Sequence, residues 1–177
     1  MPRLLGISGS LRAGSYSTAV LAAFVEAVDA DWDRADIGAL PLFNQDLYVE
    51  PLPAAVAAFR AQIAAADGIV IVSPEYNHGI PGVLKNAIDW ASRPHNGSPL
   101  RNKPVLIATA SHAFTGGVRA QYQIREALVS ALARPVNTPE IVVGLVNAKM
   151  VEGRFEDAVT IDFALKGFAT MFTEIAV

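Results

Sequence analysis

Residues 68–73 read GIVIVS, and no other stretch restricts the fold as much. Four consecutive β-branched residues without polar alternation require burial on both faces, the environment of a central strand covered by helices on either side. Strands of that kind are joined by long crossovers. The surrounding chain has them, because apolar runs too short for helices alternate with helical patterns along its whole length.

Leu4, Leu5 and Ile7 mark a first strand, and Val20, Leu21, Phe24, Val25 and Val28 form the inward face of the helix after it. A weak second strand falls within 33–37, and a helix over about 53–66 turns Val56, Phe59 and Ile63 inward. After 68–73, Pro81 suits the first turn of a third helix, where a missing N–H does no harm. Its stripe is Val83, Leu84, Ala87, Ile88 and Ala91, with Lys85, Asn86 and Asp89 facing elsewhere and Lys85 and Asp89 forming an exposed pair. Strands at 103–110 and 140–144 flank a helix over about 117–133. Ile161, Ala164, Leu165, Phe168, Ala169 and Phe172 predict a last helix over about 158–175. This alternation predicts an α/β fold, an open doubly wound five-stranded parallel sheet with helices on both faces, since a barrel needs eight strands.

A chain of 177 residues, 52% apolar and 18% charged, is long enough for one core and short for two, so 1–177 reads as a single domain. The formal charge is −3 and the 14 Lys and Arg are scattered, which predicts no nucleic-acid partner and no anionic membrane surface. The absence of cysteine excludes disulfides and thiolate chemistry. No signal-peptide core and no apolar run near the ~18 residues of a membrane span is found, so the expected location is cytoplasmic.

The first strand leaves through GISGSLRAGSYSTAVLAAF (6–24), more hydroxyl and glycine than a turn requires. A phosphate-binding P-loop would need lysine after its second glycine, where Ser15 and Tyr16 stand. Gly6, Gly9 and Gly14 do not have dinucleotide-fingerprint spacing, and Gly-Ile-Ser-Gly-Ser is not the nucleophile elbow of a hydrolase. Two readings remain: a helix cap at Ser15 or Ser17 in a solvated loop, or a cradle for one phosphate monoester built from hydroxyls, free N–H groups and Arg12. In strand order 2-1-3-4-5 the loops after strands one, three and four converge on one crevice. Those are the three unusual loops here: 8–18, SPEYNHGIPG (73–82) and SHAFTGG (111–117).

GSLRAGSYS (9–17), SPEYNHGIPGVLKNAIDWASR (73–93) and GGVRAQ (116–121), with LPLFNQDL (40–47), resemble the NAD(P)H-dependent FMN reductases, a flavodoxin-like family that includes quinone, azo-dye and chromate reductases. The resemblance implies FMN as cofactor, NADPH or NADH as donor, and a small-molecule electron acceptor. By position it implies that Ser10, Arg12, Ser15, Ser17 and Thr18 hold the FMN phosphate. It implies further that Pro74, Glu75, Tyr76, Asn77 and Gly79 border the isoalloxazine, and that Ser111, Gly116 and Gly117 close its other side. The flavin carries the chemistry, so no catalytic side chain is assigned; His78 and His112 are candidates for shaping the acceptor pocket, and His95 reads as surface loop.

An electron carrier of the same fold would tend to be more acidic than −3. A flavin at the rim of a small sheet leaves its stacking face open, which predicts a homodimer or a tetramer of dimers. The apolar connection 40–52 and Trp90, which lies off its helix's inward stripe, are the candidate partner surfaces.

Overall fold

The computed structural model describes residues 1–176. Its central strands are β1 (Arg3–Ser8), β3 (Gly68–Ser73) and β4 (Pro104–Ala110), with the shorter β2 (Asp31–Arg34) at one edge. All pair in parallel in the order β2-β1-β3-β4, with Leu5 opposite Ile69 and Ile71 opposite Ile107. The fifth position is filled by two short pieces, β5 (Arg134–Pro135) and β6 (Ile141–Val143), each pairing with β4. The strand expected at 140–144 is observed as β6, and β5 is an additional short piece before it; Pro139, between the two, cannot donate to a ladder. The order 2-1-3-4-5 of a flavodoxin-like sheet is observed.

Alternate side chains of the central strands feed two apolar layers. Leu5, Ile7, Ile69, Ile71, Val105 and Ile107 pack beneath α2 (Ala54–Ala65), α3 (Gly82–Ala91) and α4 (Val118–Ser130). Leu4, Val70, Val72, Leu106 and Ala108 pack beneath α1 (Tyr16–Ala27) and α5 (Ala158–Ile175). Each central strand is thus covered on both sides, as its unbroken apolar run requires.

Three details differ from the periodicity reading. In α5 the buried residues are Ala164, Gly167, Phe168 and Met171, while Leu165 and Ala169 are exposed. The helix approaches the sheet through Gly167, which lies against Leu106 and Ile141, and this rotates the stripe. A small antiparallel hairpin, β7 (Met150–Val151) and β8 (Arg154–Phe155), precedes α5 and places Phe155 in the core.

The third difference concerns α3. Asn86 is buried and Trp90 is 0% exposed. The Trp90 indole N–H donates to the Pro41 carbonyl at 2.7 Å, and the Asn86 amide donates to the same oxygen at 2.9 Å. Asn86 Oδ1 accepts from the Phe43 N–H at 2.7 Å, and the Phe43 ring meets Trp90 edge to face, centroids 5.0 Å apart. Residues expected on a partner surface are instead folded onto their own chain. Asn86 and Trp90 sit one turn apart and together satisfy a loop backbone that would otherwise be buried without partners.

Candidate active site

The crevice lies where the chain leaves β1, β3 and β4. After β1 the Gly9 N–H donates to the Val72 carbonyl at 2.8 Å, which holds the first loop against β3. A Cβ at Gly9 would come within 2.5 Å of Ser73 Oγ, so this close approach requires glycine. Ser15 is the N-cap of α1, its Oγ accepting from the Thr18 N–H at 3.2 Å. Capping leaves the first-turn N–H groups of Tyr16 and Ser17 without an acceptor among the described residues, and that turn carries no acidic side chain.

The five expected phosphate residues gather at this helix start, in two orientations. Ser10 is half-buried and Arg12 exposed; the Arg12 N–H donates to Ser10 Oγ at 3.4 Å, and the guanidinium lies 5.0 Å from the centre of the Tyr16 ring. Thr18 Oγ1 pairs with Ser8 Oγ at 2.8 Å. Ser15 is buried, its Oγ engaged in the cap, and Ser17 beside it is 1% exposed. Cap and cradle coexist: a capped helix offers its remaining N–H groups and dipole to an anion, with Arg12 as counter-charge.

The loop after β3 is rigid. Tyr76 and Gly79 exchange two backbone hydrogen bonds of 3.0 Å around Asn77 and His78, both in the left-handed region with φ of 50° and 63°. Tyr76 is 51% exposed and its hydroxyl is 3.5 Å from Ser10 Oγ, so the first and second loops meet at the crevice mouth. Glu75 points the other way: its carboxylate accepts from the Ala120 N–H at 3.0 Å in the first turn of α4, with Arg119 at 4.0 Å. From α4, Gln123 Oε1 accepts from the Ile80 N–H at 3.0 Å and its amide donates to the His78 carbonyl at 3.4 Å. The backbone of 74–80 therefore borders the crevice while Glu75 and Gln123 fix it from behind.

After β4 the Ser111 N–H donates to the Val143 carbonyl at 3.0 Å, and Ser111 Oγ accepts from the Ala113 N–H at 3.1 Å. Gly116 and Gly117, with φ of 62° and 91°, turn the chain into α4, a conformation that side chains disfavour. His112 reaches the first loop, its ring edge to face with Tyr16 at 4.8 Å. His78 and His95 are exposed.

Tyr16 and Gln123 are the site residues that sequence reasoning missed. Tyr16 was legible only as an unexplained aromatic at a helix start, and nothing in the spacing of α4 points Gln123 at the turn. Burial lowers Lys103 at the start of β4, against an opposing contribution from Asp67. The Asp157 carboxyl is lowered by its hydrogen bonds from Lys149 and Thr160. No cluster of metal-ligating side chains occurs among the described residues.

The arrangement fits a phosphorylated flat heterocycle. A helix start whose first turn carries no acid, with one exposed cation, suits the phosphate, and a rigid loop edged with backbone amides suits a ring. The family of NADPH-dependent FMN reductases matches residues 2–148. An NAD(P)H-dependent FMN reductase of Pseudomonas aeruginosa is 46% identical over 158 residues, covering 88% of this chain and 85% of that protein. A quinone reductase of Escherichia coli K12 is 40% identical, covering 97% of this chain and 94% of its own length. Among solved structures, the flavoenzyme NAD(P)H:(acceptor) oxidoreductase of Paracoccus denitrificans superposes with a TM-score of 0.82 at 25% identity, covering 99% of this chain and 96% of that one. The chain belongs to the NADPH-dependent FMN reductase family and is an FMN-dependent oxidoreductase of the NAD(P)H:FMN/quinone type.

Proposed function

We propose that residues 1–177 act as one FMN-binding unit that takes hydride from NADPH or NADH and passes two electrons to quinones, and also to azo compounds and metal oxyanions such as chromate. The observation that carries this reading is the meeting of all three loops at one crevice, through Ser10 with Tyr76 and through Tyr16 with His112. When bound, FMN supplies the two-electron chemistry.

The chain's own residues bind and orient. Ser10, Arg12, Ser15, Ser17 and Thr18, with the N–H groups of Tyr16 and Ser17, hold the phosphate at the start of α1. The backbone of Pro74, Glu75, Tyr76, Asn77 and Gly79 borders the isoalloxazine on one side, and Ser111, Gly116 and Gly117 bound it on the other. No side-chain acid or base is required, which suits a site where the Glu75 carboxylate is engaged by the Ala120 N–H.

The working form in this reading is a cytoplasmic homodimer or a tetramer of dimers. Among the described residues no helix is long and apolar enough to cross a membrane. Leu42, Leu47 and Val49 are exposed in the connection between β2 and α2, apolar surface that a second copy would cover.

An acceptor panel tests the reading. FMN-loaded protein is supplied with NADPH or NADH and a quinone, an azo dye or chromate, and initial rates are measured. Parallel double-reciprocal lines are expected, as donor and acceptor take turns at one face. Flavin-loaded protein without turnover on any acceptor would leave only an electron carrier.

A further inference from the structure

Tyr16 joins two groups that no hydrogen bond connects. One side of its ring carries the Arg12 guanidinium, 5.0 Å from the centroid, and the His112 ring stands edge to face against it at 4.8 Å. Tyr16 is also the first residue of α1, so the cluster includes the helix start, where the Tyr16 and Ser17 N–H groups have no acceptor among the described residues. Both Arg12 and His112 are exposed and open to a ligand.

The segments packed around His112 carry no carboxylate of their own. The first loop, 8–18, contributes Arg12 and the Tyr16 phenol and contains no carboxylate. Its own loop, 111–117, contains no other charged residue. The turn after β6 packs on that loop through the Val146 N–H, which donates to the Ser111 carbonyl at 3.1 Å. Its one charged residue within 144–149 is Lys149, which is held by Asp157. Among the described residues His112 makes no ion pair, and an anion at the start of α1 is the partner this rim would take.

The geometry points to His112 as a second cationic residue for the flavin phosphate, acting from the third loop beside Arg12, and hence as a determinant of FMN binding over unphosphorylated riboflavin. This rests on the phosphate lying at the start of α1. An imidazole carries its charge only in acid to neutral solution, so the contribution is present at low pH and fades as pH rises, whereas that of Arg12 persists. The two loops would then close on the phosphate together, with Tyr16 as the plate between them.

The test is flavin titration by fluorescence quenching at pH 6 and pH 8, with FMN and riboflavin, on wild type, His112→Gln, His112→Phe and Arg12→Ala. The FMN phosphate itself titrates near pH 6, so variant and wild type are compared at equal pH. At pH 6 both His112 variants are expected to bind FMN about tenfold more weakly than wild type, with less than about a twofold difference at pH 8. Riboflavin affinity should not change. A loss for His112→Gln equal at both pH values, or equal for both flavins, or no loss at all, would overturn the proposal. Should Arg12→Ala discriminate FMN from riboflavin while His112→Gln does not, His112 alone is excluded. Should neither discriminate, the phosphate is not at this loop and the underlying site reading falls with it.

Discussion

The Glu75 carboxylate accepts a 3.0 Å hydrogen bond from the backbone N–H of Ala120, so an acid in the loop after β3 is engaged in capping α4. Its side chain is only 10% exposed and Arg119 stands 4.0 Å away. Glu75→Ala should destabilise the flavin-free protein by about 1 to 2 kcal/mol, the scale of a lost helix cap. Glu75→Gln keeps an acceptor for Ala120 and loses only the favourable charge at the helix start, about 0.3 to 1 kcal/mol. Urea unfolding measures both. If Glu75 instead touched the flavin through its charge, Gln would weaken FMN binding as much as Ala does, with little change in stability.

Trp90 and Asn86 share one acceptor, the Pro41 carbonyl, and this fastens the connection after β2 to α3. Trp90→Ala should cost about 3 to 5 kcal/mol by opening a cavity at a fully buried indole. Asn86→Ala should cost about 1 to 3 kcal/mol, because the Phe43 N–H loses its acceptor. Trp90→Phe, which keeps a ring against Phe43 and leaves Asn86 on Pro41, should cost less than either. Denaturant midpoints check the order; a Trp90→Ala protein of wild-type stability would contradict the intramolecular fastening.

The central strands and the three loops were legible because each carries a local signal: unbroken β-branched runs in β3, a hydroxyl-rich exit from β1, and Gly116 with Gly117 before α4. The fate of Trp90 and Asn86 was not legible. An apolar-stripe reading treats Asn as outward, and only the position of Pro41 reveals that both side chains end on one buried carbonyl. The stripe of α5 was misread for a related reason, since periodicity cannot tell that Gly167 is the point of closest approach. Around the site, the membership of Ser10, Arg12 and Thr18 in one cluster could be expected from their loop. The clasp of Gln123 on Ile80 and the edge-to-face contact of Tyr16 with His112 join segments far apart in sequence, and no spacing rule reaches them.

Asp157, just before α5, accepts hydrogen bonds from Lys149 and Thr160, and these hold its carboxyl below the ordinary range. A carboxyl whose pKa is lower folded than unfolded adds stability that is fully present above the unfolded value, near 3.9, and is lost as pH falls through the folded value. Asp157→Asn should therefore cost about 1 to 2 kcal/mol at pH 7, an estimate reduced for partial exposure of the pair. The deficit should shrink as pH is lowered below about 4, where wild type loses the same interaction. Thermal unfolding of both proteins from pH 7 to pH 3 reads this directly. A deficit independent of pH would mean that Asn disturbs packing rather than an ionic contact.

The apolar surface left exposed between β2 and α2 is what a second copy would cover in the proposed dimer. With Phe43 and Trp90 used internally, the apolar residues still free in that connection are Leu42, 81% exposed, Val49, 62% exposed, and Leu47, less so. On a monomer, Leu42→Asp with Val49→Asp would alter stability by no more than about 0.5 kcal/mol per site, the usual range for surface substitutions. On a dimer that buries this segment, two carboxylates per copy are forced into an apolar contact without partners, and association should fail. Sedimentation at assay concentration is expected to show wild type as a dimer or larger and the double variant as a chain of 18.8 kDa, still folded by circular dichroism. Reductase activity should fall with the loss of the second copy, because the flavin face would then lack its outer wall. Wild type sedimenting at 18.8 kDa with full activity would show that one chain completes the crevice alone.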